Sequence, residues 1–203
     1  MHSDGYNRGR LFLLSVVALV AAGMVFSIRA ATIGDIQGEF FDPIAPSSAS
    51  EWIGFVAGVA FLSFAVSIFI GSPLCDYIGM RALLGVACVS HILGSIVVIF
   101  AGPISNVCNI QFGDKPSVYW ILYLGMLIVG IGHGLVEAVI NPLAATLYPE
   151  DKTHRLNVLH AWWPGGIIIG GVLAYLMGKC GATWQVKQAL VLIPACWYGY
   201  LLV

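Results

Sequence analysis

Glu137 has the clearest capacity for chemistry in this sequence, because it sits in the middle of an apolar stretch, G-I-G-H-G-L-V-E-A-V-I-N-P-L. On insertion scales an ionised carboxylate in such a setting costs roughly 2.5–3.5 kcal/mol, so its presence points to a use. Desolvation favours the neutral acid, which makes Glu137 a candidate to take up and release a proton. His133 and Asn141 stand four residues before and after it, along one face of a helix. His133 could relay the proton or hold a solute hydroxyl. The plainer reading pairs His133 with Glu137 as a tie between helices.

Pro142 lacks an N–H and frees the carbonyl of Ala138, next to Glu137; Pro164 does the same for His160 in L-H-A-W-W-P-G-G. Freed carbonyls in broken membrane helices can meet ligands, though each proline alone reads more simply as a packing kink. Trp163 could stack on a ring-shaped solute with His160 beside it, or join Trp162 in an interfacial belt. Gly165, Gly166, Gly170 and Gly171 predict a groove for another helix. Arg29 could bind an anionic group, pair with Asp35, or snorkel to the surface. Six residues apart on one helix, Arg29 and Asp35 face different sides.

Metal and nucleophile chemistry find little support. The five cysteines show neither C-x-x-C nor zinc spacing, and neither H-E-x-x-H nor G-x-S-x-G occurs. An intramembrane enzyme using His133, Glu137 and His160 is therefore a lesser alternative. Cys75, Cys88 and Cys196 read as packing residues. Cys108 and Cys180 are expected on the outer side, where a disulfide between them is possible.

These residues must be positioned by elements that live in lipid. Hydrophobic residues make up 59% of the chain and charged residues 9%, against about a quarter charged in soluble proteins. So few charges cannot cover a water-facing surface. A net charge of −1 and no basic tract argue against a nucleic-acid partner. Spans of about 20 apolar residues are needed to cross a bilayer. They are expected at about 11–33, 52–71, 82–101, 118–147, 156–177 and 184–203, after a polar N-terminal segment, 1–10. Residues 36–51 and 102–117 read as loops, and 72–81 as a short connection.

With the N-terminus inside, the inner segments hold Arg8, Arg10, Arg81, Lys152 and Arg155, and the outer ones Lys115, Lys179 and Lys187. That bias predicts a cytoplasmic N-terminus in a plasma or inner membrane. Spans one to three and four to six repeat one layout, as 3+3 inverted repeats do. The chain stops at Val203 within an apolar run, so a further six-helix half is expected to follow.

Two segments resemble a known family. Ser72-Pro73-Leu74-Cys75-Asp76-Tyr77-Ile78-Gly79-Met80-Arg81 is similar to the signature loop of the major facilitator superfamily, G-x-L-a-D-r-x-G-r-k. Leu74, Asp76, Gly79 and Arg81 match, while Ser72, Tyr77 and Met80 depart from it. Asp76 could cap a helix N-terminus and pair with a basic residue, biasing a gate, and Gly79 permits a tight turn. Glu137-Ala138-Val139-Ile140-Asn141-Pro142, followed by Arg155-Leu156-Asn157, resembles fucose-permease-like sugar:proton symporters. The resemblance implies an all-α membrane protein, an MFS-type six-helix bundle forming half of a twelve-helix transporter. It implies a sugar or similar small polar solute moved with protons by alternating access, with no cofactor. Glu137 would then serve sugar binding and proton coupling, with Asp35 as the second acid. A non-transporting receptor or structural protein with the same topology is the other alternative.

Overall fold

A computed structural model describes residues 7–108, 110 and 112–203. The described residues form eight helices: α1 (Arg8–Phe40), α2 (Ala49–Ile78), α3 (Met80–Ile99), α4 (Ala101–Val107), α5 (Ser117–Leu147), α6 (Lys152–Lys179), α7 (Trp184–Ala189) and α8 (Leu192–Leu202). Five of them, α1, α2, α3, α5 and α6, are long and apolar enough to cross a membrane. The sixth expected span is divided into α7 and α8. Pro194 explains the division, since its missing N–H and its ring disrupt the bond to the Leu190 carbonyl. The turn tightens there, with Val191 N bonding Gln188 O and Ile193 N bonding Leu190 O, both three residues back.

Helices also run through segments expected to be loops. α1 is capped by Asn7, whose side chain accepts from the Arg10 N–H at 3.0 Å, and continues past residue 36 to Phe40. The polar residues of that extension are occupied by α7: Lys187 pairs with Asp35 at 3.3 Å, and Trp184 Nε1 donates to Glu39. Pro43 and Pro46 then follow and discourage further helix. Similarly, 72–78 belongs to α2, with Pro73 inside it. The connection shrinks to Gly79, whose φ of 88° is a region other residues rarely enter.

Small residues set how closely the helices approach. Gly130 and Gly134 of α5 lie against Ala60, Ser63, Phe64 and Ser67 of α2, and Gly94 of α3 meets Gly125 and Val129 of α5. Gly23 of α1 and Gly166 and Gly170 of α6 form a third close crossing, whereas Gly165 and Gly171 stay outside it. The pairing pattern is two-fold: α5 packs on α2 and α3 as α1 packs on α6 and the α7–α8 pair. One end of the core holds Leu14, Leu19, Leu84, Ile140 and Tyr198. The other holds Phe41, Trp52 and Tyr119, whose rings lie 5.9–6.1 Å apart. α2 and α6 leave most of their surface uncovered.

Candidate functional site

Helix α5 carries His133, Glu137 and Asn141 on successive turns, but the tertiary structure sends them to different partners. His133 is buried, and its Nε2–H donates to the Ala22 carbonyl of α1 at 2.6 Å. Its ring meets His91 edge-on at 5.1 Å between centroids and Phe64 at 6.1 Å. His91, fully buried on α3, shares a hydrogen bond between Nδ1 and the Tyr198 hydroxyl at 2.9 Å, and its Nε2 has no partner among the described residues. His91 and Tyr198 were not legible as a pair. The available signal was a histidine inside an apolar span, and its partner lies 107 residues away.

No hydrogen bond or ion pair joins Glu137 to His133 among the described residues. Glu137 instead opens into a cleft of about 460 Å³ between α5 and the last turns of α2, lined also by Ser72, Cys75, Asp76, Asn141 and Pro142. Asn141 Nδ2 donates to the main-chain carbonyl of Glu137 at 3.1 Å, while its Oδ1 is buried without a partner among the described residues. The Ala138 carbonyl that Pro142 frees accepts from the Cys75 thiol at 3.6 Å. That contact docks the Asp76 segment onto α5 one residue from Glu137. His160, exposed on α6, lies within electrostatic reach of the same carboxylate.

The gate-like segment differs from expectation in one respect. Asp76 is exposed within the last turn of α2 rather than capping α3, whose N-cap position is Gly79 with no side-chain cap bond. The reason is that α2 persists through Pro73 and leaves no linker for Asp76 to occupy. Asp76 makes no ion pair among the described residues. Leu74 packs against the core, and Arg81 shares a cleft of about 560 Å³ with Arg10 and the end of α8.

Arg29 forms a separate centre. It is only 6% exposed, and its guanidinium lies 4.6 Å from the Phe61 ring centroid and 5.7 Å from that of Phe26. Trp163 of α6 tilts against Phe26 at 5.9 Å. Arg29 is buried rather than snorkelled, and Asp35 is held by Lys187 instead. Cys108 and Cys180 are both free and exposed. Among the described residues no group of three or more His, Cys, Asp or Glu is placed to hold a metal.

Comparison with known proteins places this arrangement. The model of the Major Facilitator Superfamily matches residues 8–198. The chain is 29% identical over 147 residues to a tetracycline resistance protein, class E, of Escherichia coli, covering 68% of this chain and 32% of that one. It is 25% identical over 121 residues to sugar transporter ERD6-like 6 of Arabidopsis thaliana, covering 60% and 21%. Among solved structures it resembles the proton:xylose symporter XylE bound to 6-bromo-6-deoxy-D-glucose, with TM-score 0.82 and 19% identity, over 97% of this chain and 45% of that one. An inward-open xylose transporter XylE from E. coli gives TM-score 0.76 at 20% identity, over 97% and 47%. The chain thus spans less than half the length of these proteins.

Proposed function

Since the chain belongs to the major facilitator superfamily, we propose that it forms the first half of a secondary transporter that moves a small polar solute, a sugar, together with protons. The observation that carries this reading is Glu137, an acid in an apolar helix that opens into the same cleft as the Asp76 segment. Protonation of Glu137 removes a charge from low-dielectric surroundings, and deprotonation restores it. A change of that kind, one residue from the carbonyl on which Cys75 is docked, acts directly on the α2–α3 connection. Proton binding at Glu137 thereby biases the two orientations of the bundle, and the proton is the coupling ion with no cofactor required. Asn141 lines the same cleft as the carboxylate and His160 lies within its electrostatic reach, while Asp35, held by Lys187, stands as the second acid.

The uncovered surface of α2 and α6 is the face for a second six-helix half, against which this bundle rocks. The Lys and Arg distribution supports a plasma or inner membrane location with the N-terminus in the cytoplasm.

The test is solute-driven proton uptake by the full-length gene product in liposomes, read with an entrapped pH dye and a panel of monosaccharides. Glu137→Gln is expected to abolish proton movement while keeping solute counterflow. A Glu137→Gln protein that still carries protons with its solute sinks the assignment of Glu137.

A further inference from the structure

Arg29 holds a buried positive charge with no acid paired to it among the described residues. Among the described residues its guanidinium has no hydrogen-bond or ion-pair partner, although five donors are available on it. The faces of Phe26 and Phe61 offset only part of the cost of desolvating such a group. Asp35, the nearest acid along α1, is engaged by Lys187, and Glu137 opens into the cleft beside α2. Of the two rings over Arg29, Phe61 is 48% exposed toward the uncovered surface, and Trp163, which packs against Phe26, is 36% exposed.

We propose that Arg29 anchors a carboxylate on the transported solute, which makes the solute a sugar acid rather than a neutral sugar; this rests on the sugar-transport reading above. A guanidinium fork matches a carboxylate through two parallel N–H···O bonds. Phe26, Phe61 and Trp163 supply aromatic faces for the apolar side of a pyranose ring. A single guanidinium balances a monoanion, whereas a phosphate dianion calls for a second cation, and Lys187 is already occupied. Phe61 turns aside to admit the solute, since its ring covers the guanidinium at 4.6 Å. One carboxylate travelling with one proton on Glu137 carries no net charge, so uptake is insensitive to membrane potential.

The experiment uses the full-length protein in liposomes, with D-glucuronate and D-glucose as probes. Binding is read by thermal stabilisation, transport by proton uptake with and without an imposed potential. Glucuronate is expected to bind about 10- to 100-fold more tightly than glucose, the worth of one charged hydrogen-bonding pair. Arg29→Gln is expected to erase that preference, and Arg29→Lys, which keeps the charge but not the fork, to lose about tenfold. If Arg29→Gln does not fold, equal glucuronate affinity in Arg29→Lys and the unaltered protein overturns the proposal. Glucose binding and proton uptake without any response to glucuronate overturn it too, and leave the sugar reading standing. Silence with both probes overturns both. Glucuronate uptake without protons upholds the anchor and sinks proton coupling. Tolerance of Arg29→Gln only when an acid in the second half is also neutralised makes Arg29 a structural ion pair and overturns the proposal.

Discussion

Replacing Gly23 by alanine tests the close crossing of α1 and α6 that brings Trp163 against Phe26. A Cβ at Gly23 falls 3.0 Å from Ile167 N and 3.1 Å from the Gly166 carbonyl carbon, and nearer still to the Trp163 carbonyl oxygen. Ordinary van der Waals contact begins at 3.4 Å, so α6 must retreat by at least about 0.4 Å. All three atoms are backbone, and none can rotate away. Overpacking of this kind costs about 1–3 kcal/mol. Gly34, on the same helix, is the control, because a Cβ there meets nothing within 4 Å. Gly34→Ala is expected to stabilise by about 0.5–1 kcal/mol through the greater helix preference of alanine. The two variants should therefore differ by about 1.5–4 kcal/mol, or roughly 3–16 °C in melting temperature for a chain of this size. Thermal unfolding in detergent, followed by tryptophan fluorescence, measures the gap. If Gly23→Ala melts at or above Gly34→Ala, the backbone contact is not what holds α1 to α6.

Three further outcomes can be checked on the same material. His133→Ala leaves the Ala22 carbonyl without its side-chain donor and is expected to cost about 1–3 kcal/mol in thermal unfolding, with His133→Gln recovering part of it; equal melting of all three proteins refutes the tie. A bulky maleimide should label Cys108 and Cys180 in the folded, solubilised protein and reach Cys88 only after denaturation; equal rates contradict the burial of Cys88. Lys187→Met removes a pair whose acid, Asp35, is half-exposed and should cost no more than about 1 kcal/mol, less at high salt. A loss of several kcal/mol would show that Lys187 does more than pair with Asp35.

Much of the architecture was legible in the residues. The expected fourth span, 118–147, lies within a residue of α5, Ser117–Leu147, because an apolar run with polar flanks has few other solutions in a bilayer. The family was legible too, through Leu74, Asp76, Gly79 and Arg81 around a turn that only Gly79 makes easy. The ends of the other helices were less so. Glu39 looks like a loop residue until Trp184 is seen beside it, and Pro194 was not read as a break in the sixth span.

The candidate site divides along the same line. The amino-acid sequence by itself determined that an acid, a histidine, an amide and an arginine lie in apolar segments, because the cost of placing them there depends on residue type and hydropathy alone. Only the tertiary structure decided that His133 bonds Ala22, that Glu137 shares a cleft with Asp76, that Cys75 takes the carbonyl freed by Pro142, and that Arg29 lies beneath Phe61. Each of those partners sits on another helix, 32 to 111 residues away in the chain for Arg29 and His133 respectively. Hydropathy and helical period state which face of a helix is apolar. Which helix meets that face is set by where glycine and serine let backbones close, and that is a property of the assembled bundle.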